Sequence, residues 1–374
     1  MNIEHFLNFK GTSWMDTDSH ESDIVMSTRI RLARNLLNYR FPTMFSIEEA
    51  EQVEKELLNC LMKADSNKYY FSYFTIKELS ALQRQILVEK HLISPYLANM
   101  ESTGSVFITE DESLSVMVNE EDHLRIQSIY PGFQLVEAYE EAILLHQFVA
   151  DQIDLAYDDQ FGYLTSCPTN VGTGLRASLM LHLPALTMTK KMNHFIHTLT
   201  RLGMTVRGIY GEGSENTGNI YQISNQMTLG KSDKEILDEL QEVVSHIILK
   251  ERLARKQLME NASTLLEDRL FRALGTLKYA KILSSEEAAN CLSNVRFGVD
   301  IGLIQDVTRN QLNECMLLVQ PGFVQQFAGA TLQPAERDIY RAKILQHQLL
   351  AKEDMKNEEE MKNEHKKGDG NYDV

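Results

Sequence analysis

The sequence predicts an α+β fold, strand-rich at first and helical afterwards. Three observations carry that reading. Apolar residues alternate over 105–109 and 113–118 (Val106, Ile108, Leu114, Val116, Val118) around Glu110-Asp111-Glu112, the pattern of an antiparallel hairpin. Strand and Gly-rich loop text fills 161–178, 204–209 and 218–224. Beyond about residue 256 almost every segment repeats its apolar residues at helical spacing.

Taken in order, Ser46-Ile47-Glu48-Glu49 and Thr75-Ile76-Lys77-Glu78 are capping-box patterns that predict helix starts, the second followed by Leu79, Leu82 and Ile86. Ala138, Ala142, Leu145 and Val149 predict a helix over 137–153. A further capping box, Ser232-Asp233-Lys234-Glu235, opens a stripe of Ile236, Leu240, Val243, Val244, Ile247 and Ile248. These segments divide the chain into an α+β domain over 1–255, a helical domain over 256–350 and a charged tail over 351–374. The tail, with five Lys and eight Asp or Glu, is expected to fray and be disordered.

The chain has 374 residues and a net charge of −16, from 53 Asp and Glu against 37 Lys and Arg. At 43% hydrophobic and 24% charged it has the balance of a folded protein. The acidity excludes a sequence-independent nucleic-acid binder or a binder of anionic membranes, both of which need basic surface. Apolar runs such as Met316–Val319 are far shorter than a span of about 20 residues, and the N-terminus lacks a secretory pattern. The four cysteines lie far apart with no CxxC pair, so free thiols in the cytoplasm are expected and no structural metal site.

Four strings could carry chemistry. In Ser27-Thr28-Arg29-Ile30-Arg31-Leu32-Ala33-Arg34, Arg29 and Arg31 share one face of a strand, and their guanidinium forks match phosphate oxygens. In Asn119-Glu120-Glu121-Asp122-His123-Leu124-Arg125, three acids, a His and an Arg follow an apolar strand, where a carboxylate can serve as general base or hold a cation. In Cys167-Pro-Thr-Asn-Val-Gly-Thr-Gly-Leu-Arg176, Gly172 and Gly174 permit close backbone approach and N–H groups that could cradle an anion. Arg176 is within reach of a phosphate, and Cys167 reads as a thiol in electropositive surroundings. Arg207-Gly-Ile-Tyr-Gly-Glu212-Gly-Ser-Glu215 is a Gly-punctuated loop that could close over a ligand. Each string alone is also compatible with a solvated face, an acidic turn, an inert thiol or a hairpin tip.

Together the strings STRIRLARN, NEEDHLRI, CPTNVGTGLRAS and RGIYGEGSE resemble the ATP:guanidino phosphotransferases, the family of creatine and arginine kinases, over about residues 20–255. The resemblance implies an antiparallel sheet flanked by helices. It places carboxylates that grip and deprotonate a guanidinium on Glu121 and Glu212, and the family's reactive thiol on Cys167. MgATP falls against Ser27, Arg29, Arg31, Arg125, Arg176 and Arg207, with His91 on the adenine side. Mg²⁺ would be held mainly by phosphates and water. Because STRxR begins at Ser27, the family's all-helical domain before it is expected to be missing; Tyr210 stands where arginine kinases have a second Arg, and Gly213 replaces their His.

Those departures and the helical extension resemble the bacterial branch that phosphorylates arginine in proteins, as does Glu336-Arg337-Asp338-Ile-Tyr-Arg341-Ala342, which is similar to that branch's phosphoarginine-binding motif. Phosphoarginine is accordingly expected at Arg337, Asp338 and Arg341. The branch further implies an allosteric homodimer active in stress responses. Its implied partners are a zinc-binding activator, a transcription repressor and an ATP-dependent protease that receives marked proteins. The rival readings are a kinase for free arginine and a silent adaptor that binds phosphoarginine proteins.

Overall fold

The computed structural model describes residues 2–8, 12–64, 69–100, 103–208 and 217–350. Glu212, with Tyr210 and Gly213, lies outside the described residues, and so does the charged tail over 351–374. In chain order the strands are β1 (Val25–Arg34), β2 (Phe71–Thr75), β3 (Ser105–Thr109), β4 (Leu114–Val118), β5 (Leu124–Pro131), β6 (Tyr157–Asp158), β7 (Gly162–Tyr163), β8 (Leu175–His182), β9 (Met204–Gly208) and β10 (Ile220–Asn225). The helices are α1 (Ile47–Ala64), α2 (Ala81–Glu89), α3 (Pro95–Ala98), α4 (Leu135–Ala150), α5 (Pro184–Met188), α6 (Met192–Arg201), α7 (Asp233–Tyr279), α8 (Ser285–Asp300), α9 (Arg309–Leu318), α10 (Pro321–Ala328) and α11, over residues 334–350.

The chain folds as two units, Met1–Leu258 and Met259–Val374. The first is built on an eight-stranded sheet of order β2-β3-β4-β5-β1-β8-β10-β9, antiparallel at every pairing. Its long middle strand, β1, pairs with β5 and β8, so the STRIRLAR string lies at the centre of the sheet. The hairpin expected at 105–118 is β3–β4. Asp111 makes its turn by accepting from the Thr109 hydroxyl at 2.7 Å and the Ser113 N–H at 3.1 Å.

Two of the three expected capping boxes form. Ser46 and Glu49 exchange bonds of 3.3 and 2.9 Å at the start of α1, and Ser232 and Glu235 do so at α7. Thr75 makes no cap; only a single 3₁₀ turn follows, and the helix starts at Ala81. The reason is a better box next door, where Ser80 caps Gln83 N–H at 3.2 Å and Gln83 returns a bond of 2.9 Å.

The second unit is helical. A non-helical Ala262 (φ −147°, ψ 35°) breaks the 47-residue α7. Buried Arg296 on α8 bonds Asn313 on α9, and Arg309 pairs with Asp300 at 2.7 Å. Of the stripes that could have faced outward, Leu266, Leu270, Leu274, Leu277, Ala342, Leu345 and Leu349 are buried, while Leu265 and Ile339 are exposed.

Candidate active site

Strand register assembles the basic residues. On β1, Arg31 stands opposite Arg176 of β8 and Gln127 of β5, and Arg29 opposite Ser178. Arg125 lies two residues before Gln127, and Gln222 of β10 stands between Met180 of β8 and Arg207 of β9. Because side chains alternate along a strand, Ser27, Arg29, Arg31, Arg125, Arg176 and Arg207 all belong to one face. The opposite face carries Thr28, Ile30, Leu32, Ala177, Leu179 and Leu181, all buried. There α4 packs on β1 and β5, its first turn anchored by a 3.1 Å bond from Gln134 N–H to the Thr28 hydroxyl.

The cost of gathering these cations falls on Arg29 and Arg31. Burial, then Arg125 and Arg176, pull Arg29 down to about 10. Burial, then Arg29, Arg125 and Arg176, carry Arg31 well below the ordinary guanidinium value, with Glu120 opposing. Arg31 Nε is buried with no hydrogen-bond partner among the described residues. Like charges gathered and buried on one face favour a polyanion, because a bound triphosphate supplies opposing charge.

Arg34, the third basic position of the string, is different. It lies buried on the reverse face, 3.6 Å from the Tyr163 ring centroid, and donates to the carbonyls of Ala33 and Thr173 at 2.7 and 3.0 Å. It fastens the glycine loop instead of facing a ligand.

Among Asn119–Arg125 the roles separate. Asn119 (φ 54°) donates to the carbonyls of Ala50 and Thr103. Glu120 is buried and pairs with Arg125, Ser94 and the Glu121 N–H; burial would raise its pKa, but these partners outweigh burial and hold it below the ordinary value. Asp122 accepts from Asn35 and the Ser166 N–H, each at 2.7 Å. Buried His123 accepts from the Leu36 N–H at 3.1 Å and reaches the Arg40 carbonyl at 3.0 Å. That leaves Glu121 as the acid that opens on a cavity. Its pKa is raised, first by burial and then by Asp122 and Glu120, with Arg125 and Cys167 opposing.

The cavity has a volume of about 640 Å³ and is lined by Glu121, Arg125, Cys167, Arg176, Arg207 and Asn225, among others. Cys167 Sγ lies 3.0 Å from the Thr169 hydroxyl. The loop after it does not form the anion cradle that its glycines suggested. Gly172 N–H donates to Tyr163 O, Thr173 N–H to Thr228 O, and Asn170 N–H to Cys167 O. A Cβ on Gly172 would meet Thr228 O at 2.4 Å, and one on Gly174 would meet Arg34 at 2.5 Å. These glycines, at φ +113° and +61°, allow backbone to pack on backbone. Thr228, which no motif in the sequence marks, pins the loop by donating to the carbonyls of Thr169 and Val171 at 2.9 and 2.7 Å.

His91 joins the arginine face through Gln127, whose Nε2 donates to the His91 carbonyl at 2.7 Å. Burial, then Arg29 and Arg31, push the ring down to about 3. Burial likewise holds His123 at about 4, and burial then Arg34 hold His146 at about 3. An unfolded His protonates near 6.5, so the unfolded chain binds more protons between these values. Stability from the neutral rings is therefore present above about pH 6.5 and lost as pH falls, at up to ~1.4 kcal/mol per unit and ring. The melting temperature should drop between about pH 7 and about pH 5; a flat profile would contradict neutral buried rings.

In the second unit Arg337, Asp338 and Arg341 lie on α11. Arg341, 2% exposed, donates to the carbonyls of Val319 and Leu283 at 3.0 and 2.8 Å and pairs with Asp338. Arg337 is half-buried and donates to Leu332 O at 3.0 Å. The two arginines are thus unequal: one is a buried tie, the other stands near the surface. Arg341→Ala would leave two buried carbonyls without donors, a cost of about 1–3 kcal/mol each, read as an earlier chemical denaturation midpoint. An unchanged midpoint would contradict the tie.

Among the described residues no group of three or more His, Cys, Asp or Glu converges as a metal site, and no helix is long and apolar enough to cross a membrane. The donor set suits Mg²⁺ only through the phosphates of a nucleotide, since the cavity supplies guanidinium groups where a cage would need carboxylates.

This fold and site have known counterparts. Residues 52–254 match the family profile of the ATP:guanido phosphotransferase C-terminal catalytic domain, and residues 263–361 that of the protein-arginine kinase McsB C-terminal domain. The chain is 27% identical to the duplicated taurocyamine kinase of Schistosoma mansoni, solved with transition-state analogue components; the TM-score is 0.56 over 66% of this chain and 35% of that one. Lombricine kinase, at 24% identity and a TM-score of 0.57 over 68% of this chain and 71% of that one, shares the fold. The protein-arginine kinase of Bacillus pumilus is 50% identical over 353 residues, 93% of this chain and 96% of the relative. That of Geobacillus thermodenitrificans is 48% identical over 359 residues, 96% and 99% of the two chains. The chain therefore belongs to the ATP:guanido phosphotransferase family, in the branch of the protein-arginine kinases.

Proposed function

We propose that this chain transfers the γ-phosphoryl group of MgATP to arginine side chains of proteins. The observation that carries this reading is the shared cavity. Glu121 and Cys167 open on the same space as Arg125, Arg176 and Arg207, so a guanidinium and a triphosphate can meet there. The particular substrate, protein arginine, follows from near full-length similarity to protein-arginine kinases.

A guanidinium is protonated at neutral pH and is a poor nucleophile. In the proposed reaction Glu121, with Glu212 as its partner, grips the guanidinium and takes the proton as the P–N bond forms. Cys167 orients the guanidinium by charge without forming a covalent bond. Arg29, Arg31, Arg125, Arg176 and Arg207 hold the phosphates in line, with Ser27 beside them and His91 at the base. Mg²⁺, bound through the phosphates, would neutralise part of their charge. Cys167→Ser should therefore lower turnover less than loss of Glu121; a Ser variant as inactive as a Glu121 variant would show that the thiol does more than orient.

On α11 we propose a phosphoarginine site in which Arg337 meets the phosphate and Asp338 the guanidinium, with Arg341 holding Asp338 in place. Calorimetry without ATP should give weaker phosphoarginine binding by Arg337→Ala/Asp338→Ala than by wild type; equal affinity would remove the site. A homodimer formed by the second unit is proposed on its exposed Leu265 and Ile339, and a monomer by light scattering would contradict it. Four free cysteines suit the cytoplasm. Proposed partners are protein substrates and, by family resemblance, a zinc-binding activator, a transcription repressor and an ATP-dependent protease. The substrate reading is tested by competing a protein bearing exposed arginines against free arginine at equal concentration: protein arginine should be used far faster, and preference for the free amino acid would replace this reading with a small-guanidine kinase.

A further inference from the structure

Trp14 is the chain's single tryptophan. It is 2% exposed and lies in a 3₁₀ turn, Ser13–Met15, that packs against β1 and β5. Its indole N–H donates to the Lys90 carbonyl at 3.2 Å, and its ring centroid lies 5.4 Å from that of His91, tilted by 57°. Lys90 is itself buried, its ammonium donating to the Phe6 carbonyl at 3.0 Å and pairing with Glu112. His91 follows with φ +61°, a left-handed conformation that a residue with a side chain adopts at a cost and keeps only when its surroundings impose it. Here they do so from two sides. Trp14 and the Phe6 carbonyl hold Lys90 from the N-terminal segment, while Gln127 grips the His91 carbonyl from the sheet. Gln127 stands opposite Arg31, so the held turn is joined to the arginine face.

We propose that Trp14 is a positioning residue for the nucleotide: together with Lys90 it clamps the Lys90–His91 turn, so that the His91 ring forms the edge of the ATP site beside Arg29 and Arg31. This rests on the reading of His91 as the residue on the nucleotide's base side. The neutral state of the ring suits stacking on a base better than contact with a phosphate. A buried indole N–H requires an acceptor, and here that acceptor is the carbonyl of the residue before the strained histidine, which ties the indole to the turn. The clamp also turns Trp14 into a built-in reporter, since any ligand that displaces the His91 ring alters the surroundings of the only indole.

The test uses the full chain. Adding MgADP without protein substrate should change tryptophan emission in a saturable way, and His91→Ala should abolish that change and raise KM for ATP. Trp14→Phe keeps a ring but loses the N–H donor; Trp14→Leu loses both. Loss of one hydrogen bond predicts a roughly three- to tenfold higher KM for ATP in the Phe variant, and a larger rise in the Leu variant. Both should keep kcat and the KM for protein substrate within about twofold of wild type. A merely structural Trp14 would lower the melting temperature and kcat with KM for ATP unchanged, and that overturns the clamp. If His91→Ala raises KM for ATP while emission is silent and Trp14→Phe binds ATP normally, the clamp fails and the reading of His91 stands. If His91→Ala leaves KM for ATP unchanged, the reading of His91 fails and the clamp falls with it. Should the Leu variant not fold, the Phe variant and wild-type emission still decide.

Discussion

Glu121→Gln should lower turnover by roughly 10²-fold or more, the scale of a lost general base, while MgATP still binds. The amide keeps the shape of the side chain but can neither hold a negative charge nor accept a proton. Its neighbours make the position specific: Glu120 is committed to Arg125 and Ser94, and Asp122 to Asn35 and the Ser166 N–H. No adjacent acid is free to substitute. The same residue governs an acid limb. A base must be ionised to work, and burial, then Asp122 and Glu120, raise Glu121 above the ordinary carboxylate range, with Arg125 and Cys167 opposing. Activity should accordingly fall with decreasing pH around a midpoint above that range, and the residual activity of Glu121→Gln should lack this limb. Near wild-type turnover in the Gln variant would remove Glu121 from the chemistry.

The second large effect is expected at Arg176. It stands opposite Arg31 across the β1–β8 pairing and lines the cavity that holds Glu121 and Cys167. Arg176→Ala should cost roughly 10²–10³ in kcat/KM, the scale for removing a preorganised donor from a site of developing charge. Arg176→Lys should recover only part of this, because an ammonium keeps the charge but loses the planar fork. Stability should respond the other way. Arg176 depresses both Arg29 and Arg31 by repulsion, so the Ala variant should melt no earlier than wild type. A variant both inactive and clearly destabilised would mean that Arg176 supports the fold and not the ligand.

Local pattern exposed some of this site and not the rest, for physical reasons. Alternation in β1 placed Arg29 and Arg31 on one face without any structure, because the strand period is two. Their meeting with Arg125, Arg176 and Arg207 depends on the register of five strands, which short strings do not encode; only the family resemblance supplied it. Asp122 and His123 carry the same chemistry as Glu121, yet they serve the fold, since their partners, Asn35, Leu36 and Arg40, come from a distant segment. Gly172 and Gly174 suggested an anion cradle, but their freedom is used for close packing. Arg341 shares a helix face with Arg337 on spacing alone, and only tertiary structure reveals it as a buried tie. Trp14 is not legible as a functional residue, because a lone aromatic near a terminus has no periodic signal.

Phosphorylation of protein arginine is tested most directly by incubating the chain with MgATP and an arginine-bearing protein, and locating the phosphate by mass spectrometry before and after acid treatment. A P–N bond to arginine predicts phosphate on guanidinium groups that is lost in acid and never formed by Glu121→Gln. Phosphate that survives acid on hydroxyl side chains, or ATP turnover with no modified arginine, would contradict it.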